Sequence, residues 1–252
     1  MRLNEATTLY TPRLVLRPYR RWHVERYHAW MEDPQVRDLT ASERLTFNEE
    51  LEMQRSWRID PDKLTFIVHL RSPSAPDPVR DPKGFLSSHN DETTMLGDVN
   101  LFLHAVSPPV SPIVPPTLED DNVERETVPP VPQDAYRAEL EIMFPPSSPL
   151  FAPRTGIALE TLQHFLSYAS ASLDLRPFSF FVRIGYDNEA SIKLFEKLGF
   201  AERKRVDVFR EVEMAWHGAD ERERGASEAW PWETDAGWKT GSLDDPRDEE
   251  RD

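Results

Sequence analysis

The sequence predicts one folded domain of the α/β (α+β) class, in which helices flank a β-sheet. Short segments of alternating apolar and polar residues, the period of strands, recur between residues 14 and 216. Between them lie segments whose apolar residues repeat every three or four positions, as in amphipathic helices. The 252 residues are 38% apolar, 30% charged and 10% aromatic. This composition is typical of a globular domain with polar extensions.

The predicted elements follow from these two periods and from helix-capping signals. Leu14 and Leu16 alternate with polar or oppositely facing neighbours, whereas Tyr27, Trp30 and Met31 repeat at helical spacing. The predicted order is β-α-α-β-β-β-α-β-α-β-β, with strands at 14–18, 64–70, 96–103, 136–144, 178–184 and two within 200–216, and helices at 22–31, 46–57, 158–173 and 188–198. We expect the strands at 64–70 and 96–103 to pair as neighbours.

Two proline-dense stretches and an acidic tail interrupt this order. Eight of the 23 prolines lie between residues 108 and 132, and four more lie between 73 and 82. Because proline disrupts helices and central strands, we expect loops without regular structure at 71–94 and 105–134. The domain then spans 1–216. Residues 217–252 hold 12 acidic and 5 basic residues and are predicted to be disordered.

Composition also excludes several classes of function. The chain has no cysteine, so disulfides, thiolate nucleophiles and sulfur-ligated metals are excluded. Its net charge of -15, without a long basic stripe, disfavours nucleic-acid binding. The sequence shows neither a signal peptide nor an apolar run of about 20 residues, which predicts a cytoplasmic or nuclear protein without a membrane segment. The seven histidines are scattered, so no metal site is expected.

Residues 188–200 contain the most informative motif. Asn188 suits a helix N-cap, and Gly199 suits the position that ends a helix before a strand. Together with Ser191, Phe195, Lys197 and Phe200, these residues resemble the helix-to-strand signature of GCN5-related N-acetyltransferases (GNAT). The resemblance implies a GNAT fold, with a mixed and mostly antiparallel sheet that splays open between its fourth and fifth strands. It also implies acetyl-CoA as cosubstrate.

The resemblance places the coenzyme A pyrophosphate at the start of the helix predicted from residue 158. Family members carry [QR]-x-x-G-x-[GA] at this turn, and residues 153–158 keep its fourth and sixth positions but have Pro153 at the first. Free N–H groups and the helix dipole bind anions at such a turn. The implied cofactor-binding residues are Met143, Phe144, Arg154, Thr155, Gly156, Ile157, Ala158, Asn188, Ser191 and Phe195. The alternative is an ordinary helix start with small residues facing the sheet.

A narrower resemblance extends over about 1–70 and 95–216. It depends on residues 1–4, 23–24, 27–31, 39–43, 53–54, 56–57, 62–63, 65–68 and 97–103, which look like the N-acetyltransferase-nine subfamily. Members of that subfamily are linked to acetylation of the N-terminal α-amine of tubulin. The resemblance therefore implies a protein or peptide substrate, with tubulin as a candidate. The sequence does not indicate an oligomeric state.

The implied reaction is direct attack of a neutral amine on the thioester in a ternary complex, which needs no covalent intermediate. Alternation in the strand at 136–144 puts Glu139 and Glu141 on one face, and either is a candidate general base. Their alternative role is that of solvated surface carboxylates. Many relatives have a proton-donating tyrosine at the position of Phe195. The phenylalanine in this sequence cannot donate a proton.

Two further residues are candidates for the substrate groove. Glu43, in a polar segment before the second helix, could meet a substrate ammonium, or this segment could simply connect two helices. Asn100 shares a strand face with Asp98 and either lines the groove or bonds to backbone. The predicted function is acetyl transfer to a protein N-terminal α-amine. The alternatives are a lysine acetyltransferase and a catalytically weak GNAT-like module that binds proteins.

Overall fold

One twisted sheet dominates the computed structural model, which describes residues 2–78, 80–88, 91–106, 136–217 and 239–241. Its nine strands are β1 (Thr8–Tyr10), β2 (Leu14–Pro18), β3 (Lys63–Leu70), β4 (Met95–Ala105), β5 (Tyr136–Met143), β6 (Phe180–Gly185), β7 (Phe200–Val206), β8 (Glu211–Trp216) and β9 (Lys239–Gly241). They lie in the order β7-β8-β6-β5-β4-β3-β2-β1-β9. The β5–β6 pair is parallel and the other neighbouring pairs are antiparallel. The prediction of a mixed, mostly antiparallel sheet is confirmed.

The helices lie on both faces of this sheet. They are α1 (Val24–Met31), α2 (Pro34–Thr40), α3 (Phe47–Ile59), α4 (Pro82–Ser88), α5 (Asp91–Thr94), α6 (Ile157–Leu173) and α7 (Glu189–Lys197). The predicted capping box is present: Thr46 Oγ1 accepts from the Glu49 N–H, and Glu49 Oε2 accepts from the Thr46 N–H. Asn188 Oδ1 likewise accepts from the Ser191 N–H at the start of α7. Local sequence thus specifies both starts.

Alternation along the strands separates two apolar cores. In β3, Phe66 joins the core formed with α6 and α7, where its ring meets Phe165 edge to face. The next residue, Ile67, points to the opposite face and joins the core formed with α1 and α2, beside Trp30 and Met143. Both strand residues are completely buried. The sheet is therefore covered on both sides, which makes its central strands nearly continuous apolar runs.

The predicted splay lies between β5 and β6. These two strands pair only at Ala138 with Phe180 and Glu139 with Phe181. On its other edge β5 stays paired with β4 as far as Met143. Because β5 remains attached on one side and released on the other, its carboxyl end leaves β6 and feeds the loop that leads to α6. The splay between the fourth and fifth predicted strands is confirmed.

The expectation that residues 71–94 contain no regular structure was wrong. Helix α4 begins at Pro82, where a missing N–H costs nothing because the first helical N–H has no intrahelical partner. Asp81 Oδ1 accepts from the Gly84 N–H and caps this helix. Phe85 is completely buried and packs in a small third core with Tyr10 and Val15. This stretch therefore covers the sheet beside β1 and β2.

Helix α2 and strand β1 were also missed by the prediction. Asp33 Oδ1 accepts from the Gln35 N–H, and Pro34 occupies the first turn, so a clear start signal was present. Strand β1 has only three residues, too few to show a period. The predicted loop at 105–134 lies outside the described residues apart from its first two positions. So does the predicted disordered tail, apart from His217 and β9, which pairs with β1.

Gly97 allows the closest approach between strands at the edge of the splay. A Cβ built there would lie 2.0 Å from the Met143 carbonyl oxygen and 2.3 Å from Phe144 Cδ1. Real Cβ contacts of this length do not occur, and the nearest obstacle is backbone that cannot rotate away. A side chain at Gly97 would therefore push the end of β5 away from β4.

We predict that Gly97→Ala lowers the free energy of unfolding by about 1–3 kcal/mol, the usual cost of overpacking a core. Urea denaturation followed by circular dichroism measures it. Gly185→Ala is the matched control, because no atom lies within 4 Å of the Cβ that it would add in β6. Equal midpoints for the two variants would contradict the constraint assigned to Gly97.

Candidate active site

A cleft of about 860 Å³ lies at the splayed end of β5. Its walls come from the end of β5, the loop that follows, the first turn of α6, the outer side of α7 and part of α2. Nine of the ten predicted cofactor-binding residues line it: Met143, Phe144, Arg154, Thr155, Gly156, Ile157, Ala158, Asn188 and Ser191. Residues separated by about 50 positions in the sequence thus meet in one cleft.

Phe195 is the predicted residue that does not line the cleft. Its side chain is only 1% exposed and belongs to the core under α7. The ring packs against Phe200, with ring centroids 5.2 Å apart. In this chain Phe195 therefore fixes α7 to the following strand and has no polar atom to offer a ligand.

A left-handed glycine shapes the turn that opens α6. Gly156 has φ of +80° and is the N-cap, with no side-chain cap for the helix. The Glu160 N–H bonds to the Gly156 carbonyl, while the N–H groups of the three residues before Glu160 have no intrahelical acceptor. These N–H groups and the positive end of the helix dipole face the cleft and suit an anion.

Arg13 supports this turn from the start of β2, and sequence reasoning did not find it. Its Nη1 donates to the Thr155 carbonyl at 3.1 Å, and its Nε donates to Glu160 Oε2 at 2.7 Å. The Thr11 hydroxyl donates to the other oxygen of Glu160 at 2.6 Å. Both carboxylate oxygens are thus occupied, which limits the negative charge that Glu160 presents near a bound anion.

Positively charged and apolar residues complete the cleft. Arg154, Lys193 and Lys197 line it, and Lys193 also pairs with Glu189 at 2.8 Å. Leu39 and Thr40, from the missed helix α2, line the side opposite α7. The combination of cations, free N–H groups and apolar walls suits an elongated ligand with phosphate at one end and an apolar chain at the other.

Glu139 and Glu141 share one strand face, as predicted, and neither lines the cleft directly. Glu139 is held by two side chains: His104 Nε2 lies 2.8 Å from its Oε2, and Arg183 Nη1 donates to both oxygens at 2.9 Å. A carboxylate whose oxygens are engaged in this way is not free to turn towards a substrate amine. Glu139 therefore suits a structural role beside the splay.

Glu141 has no such partner and lies one residue before Ile142, which lines the cleft. Its pKa is raised to about 7, first by desolvation among the surrounding protein atoms and then by the negative charges of Asp98 and Glu139. Its side chain nevertheless remains open to solvent on one side. Crowding on the protein side raises the pKa while the open side admits a substrate, so Glu141 is placed to exchange a proton near neutral pH.

The two predicted substrate residues lie in different environments. Asn100 is 3% exposed, and its Nδ2 donates to Asp98 Oδ2 at 2.7 Å, so it lies beneath the site rather than on an open groove. Glu43 is exposed in the connection between α2 and α3, outside the cleft lining. Within the described ranges, no group of three or more histidine or acidic side chains could hold a metal ion. No described helix is long and apolar enough to cross a membrane.

Comparison with solved structures supports the fold. The match to spermidine N-acetyltransferase from Vibrio cholerae, solved with CoA and spermine, covers 80% of this chain and 93% of that one, at TM-score 0.53 and 17% identity. It also matches an acetyltransferase of the GNAT family from Bacillus anthracis, at TM-score 0.52 and 14% identity, over 82% of this chain and 96% of that one. At these identities the likeness concerns the fold alone.

Sequence comparison identifies the family. The acetyltransferase (GNAT) domain model matches residues 13–201. The chain is 38% identical to alpha/beta-tubulin-N-acetyltransferase 9 of Drosophila melanogaster over 85% of this chain and 88% of that protein. It is 34% identical to the human protein of the same name, over 85% and 84%. An N-acetyltransferase 9-like protein of Schizosaccharomyces pombe is also 34% identical, over 85% and 97%. The chain therefore belongs to the GNAT acetyltransferase family.

Proposed function

We propose that this protein transfers the acetyl group of acetyl-CoA to the N-terminal α-amine of a protein substrate. The observation that carries the proposal is Glu141, a solvent-open carboxylate with a pKa near 7 that adjoins the cleft. Membership of the GNAT family supports N-acetyltransfer, and related proteins named alpha/beta-tubulin-N-acetyltransferase 9 make tubulin the first substrate to test.

The cleft fits acetyl-CoA. Its volume is within the range of cofactor sites, and the Gly156 turn leaves helix N–H groups available to the pyrophosphate. Arg154 adds positive charge at that turn, and Lys193 and Lys197 add it along α7. Pro153 precedes the helix and removes no helical N–H. When bound, acetyl-CoA supplies an acetyl group activated as a thioester.

The side chains then have to deliver a neutral amine. An α-ammonium has a pKa of about 7.7–8.0, whereas a lysine ammonium has a pKa of about 10.4. Transfer of a proton to Glu141 is uphill by about one pKa unit from an α-ammonium and by about three from lysine. The base is therefore better matched to an N-terminal α-ammonium than to a lysine ammonium, because the proton transfer to Glu141 is less uphill by about two pKa units.

Direct attack within a ternary complex agrees with the residues present. The chain contains no cysteine that could form an acyl-enzyme. The nitrogen lone pair freed by proton transfer to Glu141 forms the new C–N bond as the thioester C–S bond breaks, and the leaving coenzyme A thiolate receives the further proton that the nitrogen loses. The serine, threonine and tyrosine hydroxyls have no part in this scheme as nucleophiles.

Mass spectrometry of peptides incubated with acetyl-CoA tests the proposal. The panel pairs each peptide that begins like α- or β-tubulin with the same peptide blocked at its N-terminus, both containing one internal lysine. We expect acetylation of the free N-terminus alone. Acetylation of the blocked peptide on lysine would replace the proposal by a lysine acetyltransferase. Acetyl-CoA binding without turnover of any peptide would favour the protein-binding module.

We predict that Glu141→Gln lowers kcat by about 10²–10⁴-fold, the usual contribution of a general base, because glutamine cannot accept the proton. Steady-state kinetics with the free peptide measures the loss, and calorimetry should give an unchanged Kd for acetyl-CoA. Glu139→Gln is the matched variant on the same strand face. We expect it to lose less than tenfold, since Glu139 is already held by Arg183 and His104. Similar losses in both variants would argue against Glu141.

We predict that Arg154→Ala weakens CoA binding by about tenfold, equal to about 1.4 kcal/mol. If Arg154 contacts the pyrophosphate, calorimetry should show the same loss with dephospho-CoA, which lacks only the 3′-phosphate. A loss confined to CoA would move Arg154 to the 3′-phosphate. Arg205→Ala is the control, because Arg205 pairs with Glu202 on β7 and does not line the cleft. No loss in the Arg154 variant would remove it from the cofactor site.

A further inference from the structure

Asp98 and Glu141 lie close together on one face of the sheet. In the β4–β5 ladder Asp98 pairs with Met143 and Asn100 pairs with Glu141. Paired residues point to the same face, so Asp98 and Glu141 are diagonal neighbours, with Cα atoms roughly 7–8 Å apart and side chains that can reach each other. Burial and the negative charge of Asp98 both raise the pKa of Glu141, in agreement with this placement.

Asp98 is buried beneath the site instead of facing solvent. It is 1% exposed, and its Oδ2 accepts from Asn100 Nδ2 at 2.7 Å and from the Tyr27 hydroxyl at 3.5 Å. Its Oδ1 has no hydrogen-bond partner among the described residues. No cation forms an ion pair with Asp98 within the described chain. A buried carboxylate with two neutral donors and a vacant oxygen is poorly stabilised as an anion, so it readily holds a proton.

The other titratable groups around the pair do not neutralise it. Tyr27 of α1 and Tyr19 after β2 lie near Asp98, and Glu50 of α3 lies near both tyrosines; burial raises the pKa of each of these three groups. Glu139 adds a further negative charge from β5. Lys63 of β3 is the cation that acts on Glu141, and it also lies 5.2 Å from the ring centre of Trp57. The surroundings are predominantly acidic or neutral.

We propose that Asp98 is a positioning residue for the candidate base: with Glu141 it forms a carboxylate pair, bound by Asn100 and Tyr27, that takes up one shared proton near neutral pH. This inference rests on the proposed function for its catalytic consequence. The two carboxylates titrate as a unit, and the first proton is retained because two anions this close in a crowded site repel each other. The raised proton affinity belongs to this first proton, so the pair acts as a base in its doubly ionised form and carries a single negative charge once it has taken a proton from the substrate.

The shared proton gives the pair a defined task. An incoming ammonium is attracted by the doubly ionised pair and loses one N–H bond, while an O–H bond forms on Glu141. The nitrogen keeps the electron pair that it uses for attack. Asp98, beneath Glu141, makes that carboxylate more basic than an isolated surface glutamate, and Asn100 and Tyr27 keep Asp98 in place.

A purely structural role is the alternative for Asp98. The Tyr27–Asp98 contact joins α1 to the sheet, so loss of Asp98 could lower stability without affecting the base. The two roles differ in titration. Only the paired arrangement requires that the titration of Glu141 depend on the charge at residue 98.

Carbon-13 NMR of the full chain labelled at glutamate side-chain carboxyls reads the titration of Glu141 directly, assigned by the Glu141→Gln variant. We expect Asp98→Asn to move the Glu141 midpoint down by at least about one pH unit, because coupled sites interact by more than that. Removal of a negative neighbour favours ionisation, so the sign is downward. Asp38→Asn, which changes an exposed carboxylate of α2, should leave the midpoint unchanged.

Tyr27→Phe provides a second variant that keeps the buried ring and deletes one donor to Asp98. Loss of this donor makes Asp98 easier to protonate, so Asp98 is neutral over more of the pH range and we expect the Glu141 midpoint to move down, in the same direction as Asp98→Asn but by less. An unchanged midpoint in either folded variant overturns the proposal. The acid limb of kcat/KM against pH should follow the same two shifts. Because the NMR titration needs no turnover, failure of every acetylation assay would refute the proposed function and leave this test intact.

Discussion

The separation of β5 from β6 is the constraint on which the site depends. The two strands pair only at Ala138 and Glu139 of β5, whereas β4 remains paired with β5 to the end of that strand. The released edge leaves room for the cleft and directs the chain into the Gly156 turn, so that the start of α6 faces the opening. Gly97 lets β4 and the end of β5 approach closely enough to keep this edge in place. The path of the backbone thus creates the site in which the side chains are placed.

One strand also presents two glutamates in different surroundings. Glu139 lies between Arg183 and His104, whereas Glu141, two residues later, faces Asp98. Residue type and strand face are the same for both. The environment set by neighbouring strands separates an ion-pair partner from a proton acceptor, which is how one fold supports distinct roles for carboxylates.

Local signals predicted much of the fold and part of the site. Alternation located the five strands β2 to β6 and the closing β7–β8 hairpin, and the caps at Thr46 and Asn188 located two helices. Arg13 escaped detection because its partner Glu160 is 147 positions away. The burial of Asn100 and Phe195 was equally invisible, since burial depends on which elements pack above a strand or helix. The sequence pattern shows which residues share a face of a strand, but not which other elements pack against that face.

The two covered faces of the sheet explain how a cofactor and an amine can meet without competing for space. The Gly156 turn, α6 and α7 belong to one face, whereas Glu141, Asp98 and Tyr27 belong to the other. A sheet in which β5 and β6 were paired along their whole length would separate these groups. Where β5 separates from β6, the sheet no longer divides the two faces. The consecutive residues Ile142 and Glu141 of β5 point to opposite faces at this place. The splay therefore brings the turn proposed to bind phosphate and the proposed proton acceptor to the same opening, as direct transfer requires.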